Sequence, residues 1–587
     1  MVELVDTRDL KSLDPKRSCG FESRSRHKTN TKIDMKKKNY LLLSAASLML
    51  LTSCSKLGAL SADNFTVTPN PLETQAGTVP ATINGHFPEK YMKKKAVVTV
   101  VPELRYSNGT VVQGNTATFQ GESVMGNDQT ISYKMGGNYT MKTNFAYVGD
   151  NKASMFLTFN ARIGSKQMKV PEVKVADGII ATSELYKRTL LSTQAAIAPD
   201  AYQRITKKKQ EANIKFLIQQ ANLRKSELKN NSVQEFIKML KQINNDREGL
   251  NLDNVEVSAY ASPDGGVSLN DKLANQRQKV SEQYVNQELK KIRMDAPVDA
   301  KYTAQDWDGF QELVKASNIQ DKDIILRVLS MYKDPQEREQ QIKNISSAFR
   351  ELADGILPQL RRARLTINYE TIGRSDEQIL DQLQADPKQL SIEEILYGAA
   401  LKENTNDMEE VYKLATRIYP NDGRAFNNIA TIEYAKGNYE VARQYFEKAK
   451  GVAEANANLG LLALKNGDIA SAEQFIANAT GANGLSEIMG NLNLAKGNYA
   501  QAEQDFGETV SNSAALAQIL NKNYAAASST LKYIKNPDAV TAYLKAILNA
   551  RLGNMTDAGE ALREAVNKDE SLAKYAANDL ELIKIQK

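Results

Sequence analysis

Cysteine and histidine are the side chains that most often act as nucleophiles or metal ligands, and the sequence has them at four positions: Cys19, Cys54, His27 and His86. A structural zinc site takes four such ligands, and a Ser-His-Asp triad needs a histidine. Cys19 and His27 fall in a polar leader, so the rest of the chain has one of each. This excludes a disulfide within one mature chain and a Cys/His zinc site. His86 lies in "INGHFPEKY", where we expect an exposed residue at a strand-to-turn junction.

Other catalytic motifs are missing from the sequence as well. It contains no Gly-rich phosphate loop, no HExxH motif and no dinucleotide fingerprint. Paired carboxylates remain as a route to acid-base chemistry, because Asp and Glu together number 70. Without a constellation of His, Cys and carboxylate groups, we predict a non-enzymatic protein that uses neither a metal nor a cofactor.

A short apolar segment precedes Cys54. Basic "MKKK" at 35–38 is followed by the apolar run Leu41–Leu51 and then by "TSC", which is the plan of a secretory signal. The run is too short to span a bilayer, since a spanning helix needs about 20 apolar residues. "LTSC" resembles the lipobox of bacterial lipoproteins. The resemblance implies that 35–53 is a signal peptide and that Cys54 is diacylated, with 54–64 as a lipidated tether. The alternatives are a buried helix or an ordinary cleaved signal.

Residues 1–34 do not have the pattern of a folded domain. They are polar and Arg-rich, and they lack an apolar period. "RSCGFESRSRH" resembles the translation of the 3′ half of a transfer-RNA gene. We therefore predict that translation starts at Met35 and that 1–34 is a wrongly assigned, disordered leader. The alternative is a disordered cytoplasmic tail.

The first 53 residues carry most of the excess positive charge. The full chain has a formal net charge of +6; residues 1–34 hold eight basic and six acidic residues, and 35–53 adds three lysines. From Cys54 onward the net charge is therefore +1. Nucleic-acid binding needs a clustered excess of Lys and Arg, so we predict no nucleic-acid partner.

Residues 65–182 are predicted to form a β-sandwich. "AVVTVVPELRYSNGTVVQG" alternates apolar and polar residues on both sides of "SNG", which indicates a hairpin. "ISYKMGGNYTMKTNFAYV" and "ASMFLTFNARI" continue the alternation. Short alternating runs without long helical patterns are typical of a sandwich.

Residues 183–370 are predicted to form an α/β domain. "SELYKRTLLSTQAAIAPDAYQRI" at 183–205 and "NSVQEFIKMLKQINND" at 231–246 carry apolar residues three and four apart, which predicts helices. A strand at Asn254–Tyr260 is followed by a tight "SPDGG" turn and a further helix. A helical insertion begins with "DWDGFQELVKA" at 306–316 and holds the only Trp. It is predicted to form an added layer or a partner surface.

This α/β domain resembles the OmpA-like envelope domain. Asn270, Leu273 and Arg277 match the Asn, Leu and Arg of that family's "N-x-x-L-S-x-x-R" helix. "LRRARLTI" at 360–367 is similar to the family's closing helix-to-strand segment. The resemblance implies a mixed sheet backed by helices, and peptidoglycan as a ligand. The motif departs from the family in reading "LANQRQ", and "ASPDG" is typical of a divergent branch in Bacteroidota.

The same resemblance implies a ligand site. Members of the family hold the diaminopimelate of peptidoglycan with a turn Asp and the helix Arg, and Arg277 aligns with that Arg; a guanidinium fork suits a carboxylate. Ser262 stands at the place of the Asp and supplies no charge. Asp264 could replace it, or could serve only as a turn residue before Gly265. The candidate peptidoglycan-binding residues are therefore Arg277, Ser262, Asp264 and Asn270. Otherwise Arg277 is a structural ion-pair or capping residue.

A polar linker at 371–389 leads into a repetitive region at 390–587. "YAKGNYEVARQYFEKAK", "LKNGDIASAEQFIANAT" and "LAKGNYAQAEQDFGETV" align with a period of thirty residues. The aligned positions are Gly437, Gly467 and Gly497; Ala442, Ala472 and Ala502; and Phe446, Ile476 and Phe506. Small residues at one helix crossing and large ones at the next suit stacked helix pairs, so the period predicts an α-solenoid. The pattern resembles tetratricopeptide repeats, which implies a groove for peptides or proteins. Tyr439 and Tyr499 are predicted to be packing sites.

The sequence thus predicts a multidomain chain with an N-terminal β-sandwich, a central α/β OmpA-like domain with a helical insertion, and a C-terminal α-solenoid. This architecture resembles an outer-membrane lipoprotein of Bacteroidota. It predicts a scaffold or adaptor that its lipid holds on the outer membrane and whose repeats bind an envelope or outer-membrane protein complex. The alternative is a tether that binds peptidoglycan through Arg277. The stretch "SKLGALSADN" at 55–64 has no acidic cluster of the kind that resembles the surface-export signal of Bacteroidota lipoproteins. The lack of such a cluster favours the periplasmic face.

Overall fold

The computed structural model describes residues 57–319, 321–344, 350–583 and 585. In it the chain forms two compact units. The first runs to Ala181 and includes Asn578–Leu580, and the second comprises Thr182–Ala577 and Glu581–Lys587. The predicted leader, the signal segment and Cys54 lie outside the described residues.

The first unit is rich in β-strands. Its strands are β1 (Phe65–Thr68), β2 (Leu72–Glu73), β3 (Thr78–Phe87), β4 (Ala96–Tyr106), β5 (Val111–Gln113), β6 (Ala117–Gly121), β7 (Gln129–Ile131), β8 (Gly137–Ala146), β9 (Ala153–Ile163), β10 (Lys166–Lys169), β11 (Val173–Asp177) and β12 (Ile179–Ile180). One sheet has the order β1-β3-β8, and a larger one has the order β10-β9-β4-β6-β7, with β11 paired to β9 and β5 to β4. A short parallel pair joins β12 to β2. The prediction of a β-rich N-terminal region is confirmed, as is the hairpin at "SNG" between β4 and β5.

Alternation along the strands places the core of this unit. The apolar residues Tyr139, Met141 and Phe145 of β8 are buried, as is Thr143, and the residues that alternate with these four are exposed. The three apolar residues belong to one apolar cluster with residues of the larger sheet, as expected for strands with one buried face. Leu57 and Leu60 are buried in the same cluster, so the predicted tether is packed from Leu57 onward.

The second unit begins with a mixed four-stranded sheet. Its strands are β13 (Ile205–Lys215), β14 (Leu250–Tyr260), β15 (Val298–Thr303) and β16 (Arg362–Ile372), in the order β13-β16-β14-β15 with β14 and β15 parallel. Two long helices accompany it, α1 (Asn231–Asn245) and α2 (Val267–Lys291). Asn230 caps α1 by accepting a hydrogen bond from the Val233 amide at 2.8 Å. Phe236 and Leu240 of α1 share a core with Val257 and Leu365 of the sheet. The OmpA-like assignment of this region stays a prediction.

The helical insertion has a core of its own. It contains α3 (Trp307–Ala316), α4 (Lys322–Met331) and α5 (Pro335–Asn344). Phe310 and Val314 of α3 pack with Ile325 of α4 and with Leu360. A single helical turn that ends at Leu360 leads into β16, at the place where "LRRARLTI" predicts a helix-to-strand junction.

A long run of helices follows. They are α6 (Asp376–Ala385), α7 (Ile392–Ala400), α8 (Thr405–Ile418), α9 (Gly423–Ala435), α10 (Tyr439–Lys448), α11 (Ala453–Lys465), α12 (Ile469–Ala477), α13 (Leu485–Ala495), α14 (Tyr499–Phe506), α15 (Asn512–Leu520), α16 (Tyr524–Tyr533), α17 (Ala539–Leu552), α18 (Met555–Lys568) and α19 (Ser571–Ala576). From α7 to α18 they pack as successive pairs, and the first helices of successive pairs contact each other from α11 to α17. We call α7, α9, α11, α13, α15 and α17 the inner helices. The stretch 371–389, predicted as a linker, contains α6, whose Ile379 and Leu383 pack with Leu396 of α7.

The thirty-residue pattern corresponds to these pairs. Gly437, Gly467 and Gly497 adopt left-handed φ angles of 82°, 75° and 75° in the turn that joins the two helices of a pair, a conformation that costs glycine little. The aligned small and large residues that follow are buried. A Cβ atom on Gly490 of α13 would lie 2.8 Å from the Phe506 ring of α14. The crossing of these two helices therefore places a small residue opposite a large one. The predicted run of repeat helices is confirmed.

Lys522 occupies the place of the glycine in the degenerate repeat and adopts φ 64°. An L-residue in the left-handed region costs roughly 1–2 kcal/mol in backbone strain. A glycine avoids this strain, but it loses more backbone entropy on folding, which offsets part of the gain. Replacing Lys522 by glycine is therefore expected to raise the free energy of unfolding of the array by about 0.5–1 kcal/mol. Urea unfolding followed by far-UV circular dichroism measures the change. Gly497→Ala is the reverse control and should destabilise; equal effects of both variants would contradict the argument.

Candidate functional site

One segment of the second unit lies along the inner helices of the array. We call residues 182–202 the strap. The strap makes three short helical turns, Thr182–Leu185, Tyr186–Thr189 and Leu190–Ser192, and then runs without helix or strand up to β13. The sequence pattern predicts a helix over 183–205, and the structure forms only its first part. Of the apolar residues in this segment, Leu185 and Leu190 are buried against the array, whereas Leu191 and Ile197 are exposed.

The first part of the strap is anchored by apolar side chains near the end of the array. Leu185 packs in the apolar core that includes α15 and α17, and Leu190 packs in the core that includes α11. The Thr189 and Ser513 hydroxyl oxygens are 2.9 Å apart and share a hydrogen bond. These contacts remove both leucines from water, which is worth roughly 2 kcal/mol for each fully buried side chain.

Asparagine side chains hold the middle of the strap. The Asn428 carboxamide accepts from the Ala198 amide at 2.8 Å and donates to the Ala198 carbonyl at 3.0 Å. Asn458 repeats this arrangement at Ala196, with distances of 2.6 Å and 2.8 Å. Asn427 donates a further hydrogen bond to the Ala196 carbonyl at 3.0 Å. The carboxamides therefore pair with the strap's backbone as a neighbouring strand would.

A second polar group surrounds Thr193. The Tyr434 hydroxyl donates to the Thr193 carbonyl at 3.0 Å, and the Asn491 side-chain amide approaches the Thr193 hydroxyl oxygen at 3.3 Å. Asn491 is only 1% exposed, yet its Oδ1 has no hydrogen-bond partner among the described residues. Glu487 lies one helical turn before Asn491, and burial raises the pKa of its carboxyl group. Burial also raises the pKa of Tyr434, and the charge of Glu487 adds to that shift.

The last residues of the strap reach the first repeat. The Arg424 guanidinium donates to the Asp200 carbonyl at 3.0 Å and is itself held by Asp422. The Tyr202 ring packs on the Tyr397 ring of α7, with a centroid separation of 4.8 Å. The strap therefore runs from the last repeats to the first, antiparallel to the order of the helices.

The sequence pattern could have revealed these asparagines. Asn428 and Asn458 are thirty residues apart and thus occupy the same position of successive repeats. Both lie on inner helices that are otherwise largely buried. A polar residue repeated at a buried position indicates a shared hydrogen-bonding task, whereas the repeated glycines and apolar residues predict only the helix pairs.

Arg277, the first residue of the predicted peptidoglycan site, is buried and bonded to the backbone. Its guanidinium donates to the carbonyls of Tyr260 at 2.9 Å, Gln220 at 3.0 Å and Leu217 at 3.3 Å. The side chain is 1% exposed, and burial together with the charge of Arg361 lowers its pKa to about 10. In this arrangement its hydrogen-bond donors connect β14 to the chain that follows β13.

The other three predicted residues lie around the same small cavity of about 60 Å³. The Ser262 hydroxyl donates to the Asp264 carboxylate, and Asn270 donates to the Ser262 carbonyl at 2.9 Å. Arg361 forms an ion pair with Asp264 at 3.0 Å and donates to the Ser262 hydroxyl at 3.2 Å. The structure thus brings the four residues together and adds Arg361, which the sequence analysis missed although it lies in the quoted segment "LRRARLTI".

Some classes of site are absent from the described part of the chain. No group of three or more His, Cys, Asp or Glu residues is arranged there to hold a metal ion. Within the same residues, no helix combines the length and the apolarity that crossing a membrane requires. His86 lies in β3, exposed, with its Nδ1 2.6 Å from the side-chain oxygen of Asn138.

Comparison with known proteins identifies the repeats. Residues 423–456, which span α9, α10 and the start of α11, match the family model for a tetratricopeptide repeat. A search of curated proteins finds no match to this chain.

The solved structures that are similar to the chain include the following three proteins. One is a tetratricopeptide repeat protein from Parabacteroides merdae, with 14% identity over 36% of this chain and 90% of that one, and a TM-score of 0.26. A second is PilF of Pseudomonas aeruginosa, with 15% identity over 36% and 99% and a TM-score of 0.27. The third is yeast Tom70, with 11% identity over 55% and 76% and a TM-score of 0.23. The family match shows that the helical array contains a tetratricopeptide repeat.

Proposed function

We propose that this protein is a non-enzymatic scaffold whose repeat array binds an extended segment of a protein partner. The pairing of Asn428 and Asn458 with the backbone of Ala198 and Ala196 carries this proposal. Carboxamides that satisfy a backbone N–H and C=O give affinity to an extended chain in the way that strand addition does. Tetratricopeptide repeats suggest protein partners in general. The strap, which is extended and bound through its backbone, indicates the conformation that a partner's segment would adopt.

We further propose that lipidation of Cys54 holds the scaffold on the periplasmic face of the outer membrane, where its partner is an envelope or outer-membrane protein complex. Leu57 is buried in the β-rich unit, so only Ser55 and Lys56 would separate that unit from the lipid. At about 3.4 Å per residue, this linker keeps the β-rich unit within roughly 10 Å of Cys54.

Crosslinking in cells followed by purification of the tagged protein tests the scaffold function. The expected result is one stoichiometric envelope protein, recovered with the wild-type chain. Recovery of no stoichiometric protein partner would contradict the proposal. The anchor is tested separately by palmitate labelling with and without Cys54→Ala, with Ser55→Ala as the neighbouring control. Labelling that survives Cys54→Ala would contradict lipidation at this residue.

A peptidoglycan tether is the second candidate function. It is supported by the grouping of Ser262, Asp264, Asn270 and Arg277 around one cavity. The Arg277 guanidinium, however, already donates hydrogen bonds to three carbonyls, and Arg361 already forms an ion pair with Asp264. Pull-down of the full chain on purified peptidoglycan tests this function.

A further inference from the structure

We propose that the middle of the strap, residues 193–200, is a displaceable internal ligand of the array. It occupies the place that a partner's extended segment takes, and a partner binds by releasing it. This inference rests on the proposed scaffold function and adds how the binding site is regulated and which segment fits it.

The hydrogen bonds that the asparagines make with Ala196 and Ala198 do not depend on side chains of the strap. Ala196 and Ala198 are held through their backbone N–H and C=O groups, and the Ala198 side chain is 1% exposed. Between them, Ile197 points away from the inner helices and is 57% exposed. Any extended segment with small residues at the two buried positions would make the same hydrogen bonds with Asn428 and Asn458.

The strap leaves part of the polar surface unsatisfied. The Asn491 Oδ1 atom is buried without a partner among the described residues, and a buried acceptor without a hydrogen bond is unfavourable. Glu487, one turn away, is a further acceptor in either protonation state. Thr193 meets Asn491 with an oxygen that accepts rather than donates. A lysine at this position would supply an ammonium donor to both groups.

These contacts define the segment that fits best. It is extended, it runs antiparallel to the order of the repeats, and it follows the pattern lysine-x-x-small-x-small. The strap has Thr193, Ala196 and Ala198 at these positions and is therefore a weaker ligand than the pattern permits. Its covalent attachment compensates, because a tethered segment acts at an effective concentration in the millimolar range.

The two halves of the strap differ in how they are held. Leu185 and Leu190 are buried in the cores of the repeats, whereas residues 193–200 are held mainly by hydrogen bonds. The middle can therefore leave the inner helices while both ends, Leu190 and Tyr202, remain packed. Release of this kind is local and does not require the array to unfold.

A peptide-binding experiment on the full chain tests the proposal. The probe is a fluorescein-labelled peptide of residues 189–202, TLLSTQAAIAPDAY, and binding is followed by fluorescence anisotropy. Ala198→Glu places a carboxylate where the side chain has no room, and Ile197→Glu places the same group on the exposed neighbour. Ala198→Glu is expected to lower the Kd of the peptide at least about 100-fold relative to wild type. Ile197→Glu should leave it within about threefold of wild type.

The peptide itself tests the pattern. A probe with lysine in place of Thr193 should bind the Ala198→Glu chain about tenfold more tightly than the unchanged probe, and a probe with glutamate in place of Ala198 should not bind. If a folded Ala198→Glu chain binds no probe, or if the two protein variants behave alike, the proposal is overturned.

Hydrogen exchange on the wild-type chain gives an answer even if Ala198→Glu fails to fold. The Ala196 and Ala198 amides should exchange at least about 100-fold faster than the central amides of α11, because the strap opens locally. Exchange as slow as that of α11 would make the strap a permanent part of the core and would overturn the proposal. A cellular partner that co-purifies equally with wild type and with Ala198→Glu would uphold the scaffold function and overturn this inference alone.

Discussion

Replacing Arg277 by alanine is expected to lower the free energy of unfolding of the central domain by about 3 kcal/mol. The guanidinium donates to three carbonyls and is buried, so the variant leaves those acceptors unpaired and opens a cavity. The measurement is urea unfolding followed by the fluorescence of Trp307, the only tryptophan of the chain. Trp307 lies at the start of α3 in the insertion of the same domain.

The matched control is Arg247→Ala, which removes an exposed guanidinium from the same domain. A surface change of this kind should alter stability by less than about 0.5 kcal/mol. The same two variants are then compared in the peptidoglycan pull-down. If Arg277→Ala keeps the stability of wild type and abolishes the pull-down, Arg277 is a ligand residue and the structural explanation is wrong. If stability falls while the folded fraction still binds, the tether does not use Arg277.

The repeat array was predictable because its signals are local and periodic. A left-handed glycine, a small residue and a large residue recur every thirty positions, and each recurrence reports the same turn and the same helix crossing. Gly437 and Phe446 show that these positions are used as predicted. The degenerate unit was harder to recognise, since Lys522 replaces the glycine but keeps its backbone conformation.

The strap was not predictable from the same kind of pattern. The segment 183–205 carries apolar residues three and four apart, but a spacing states only that residues share a face, not what covers that face. Here the inner helices cover that face. The inner-helix residues that bind the strap lie more than two hundred residues after it in sequence, so local spacing does not reveal them. The ion pair of Arg361 with Asp264 is equally non-local, which is why the predicted site lacked this residue.

Replacing Asn458 by leucine is expected to destabilise the array, because the buried Asn458 side chain makes three hydrogen bonds. Asn458 is fully buried, accepts from the Ala196 amide, and donates to the Ala196 carbonyl and to Asn427. Leucine has nearly the same shape but no polar atoms, so Asn458→Leu leaves two buried groups without partners, the Ala196 amide and the Asn427 side-chain oxygen, while the Ala196 carbonyl keeps only its hydrogen bond from Asn427. Each such group costs about 1–3 kcal/mol. The array is expected to lose about 3 kcal/mol of stability, measured by urea unfolding with far-UV circular dichroism.

The strap's response to the lost hydrogen bonds in Asn458→Leu distinguishes a fixed strap from a displaceable one. If the strap is displaceable, its middle leaves Asn458→Leu and the backbone of Ala196 regains hydrogen bonds from water. The Ala196 amide should then exchange freely and the labelled strap peptide should remain weakly bound, because the variant has lost the carboxamide that both ligands use. Asn466→Leu, at an exposed position at the end of the same helix, should change neither stability nor exchange. If Asn458→Leu destabilises the array while the Ala196 amide stays protected, the strap is fixed by its apolar anchors, and the asparagines serve folding rather than exchange of ligands.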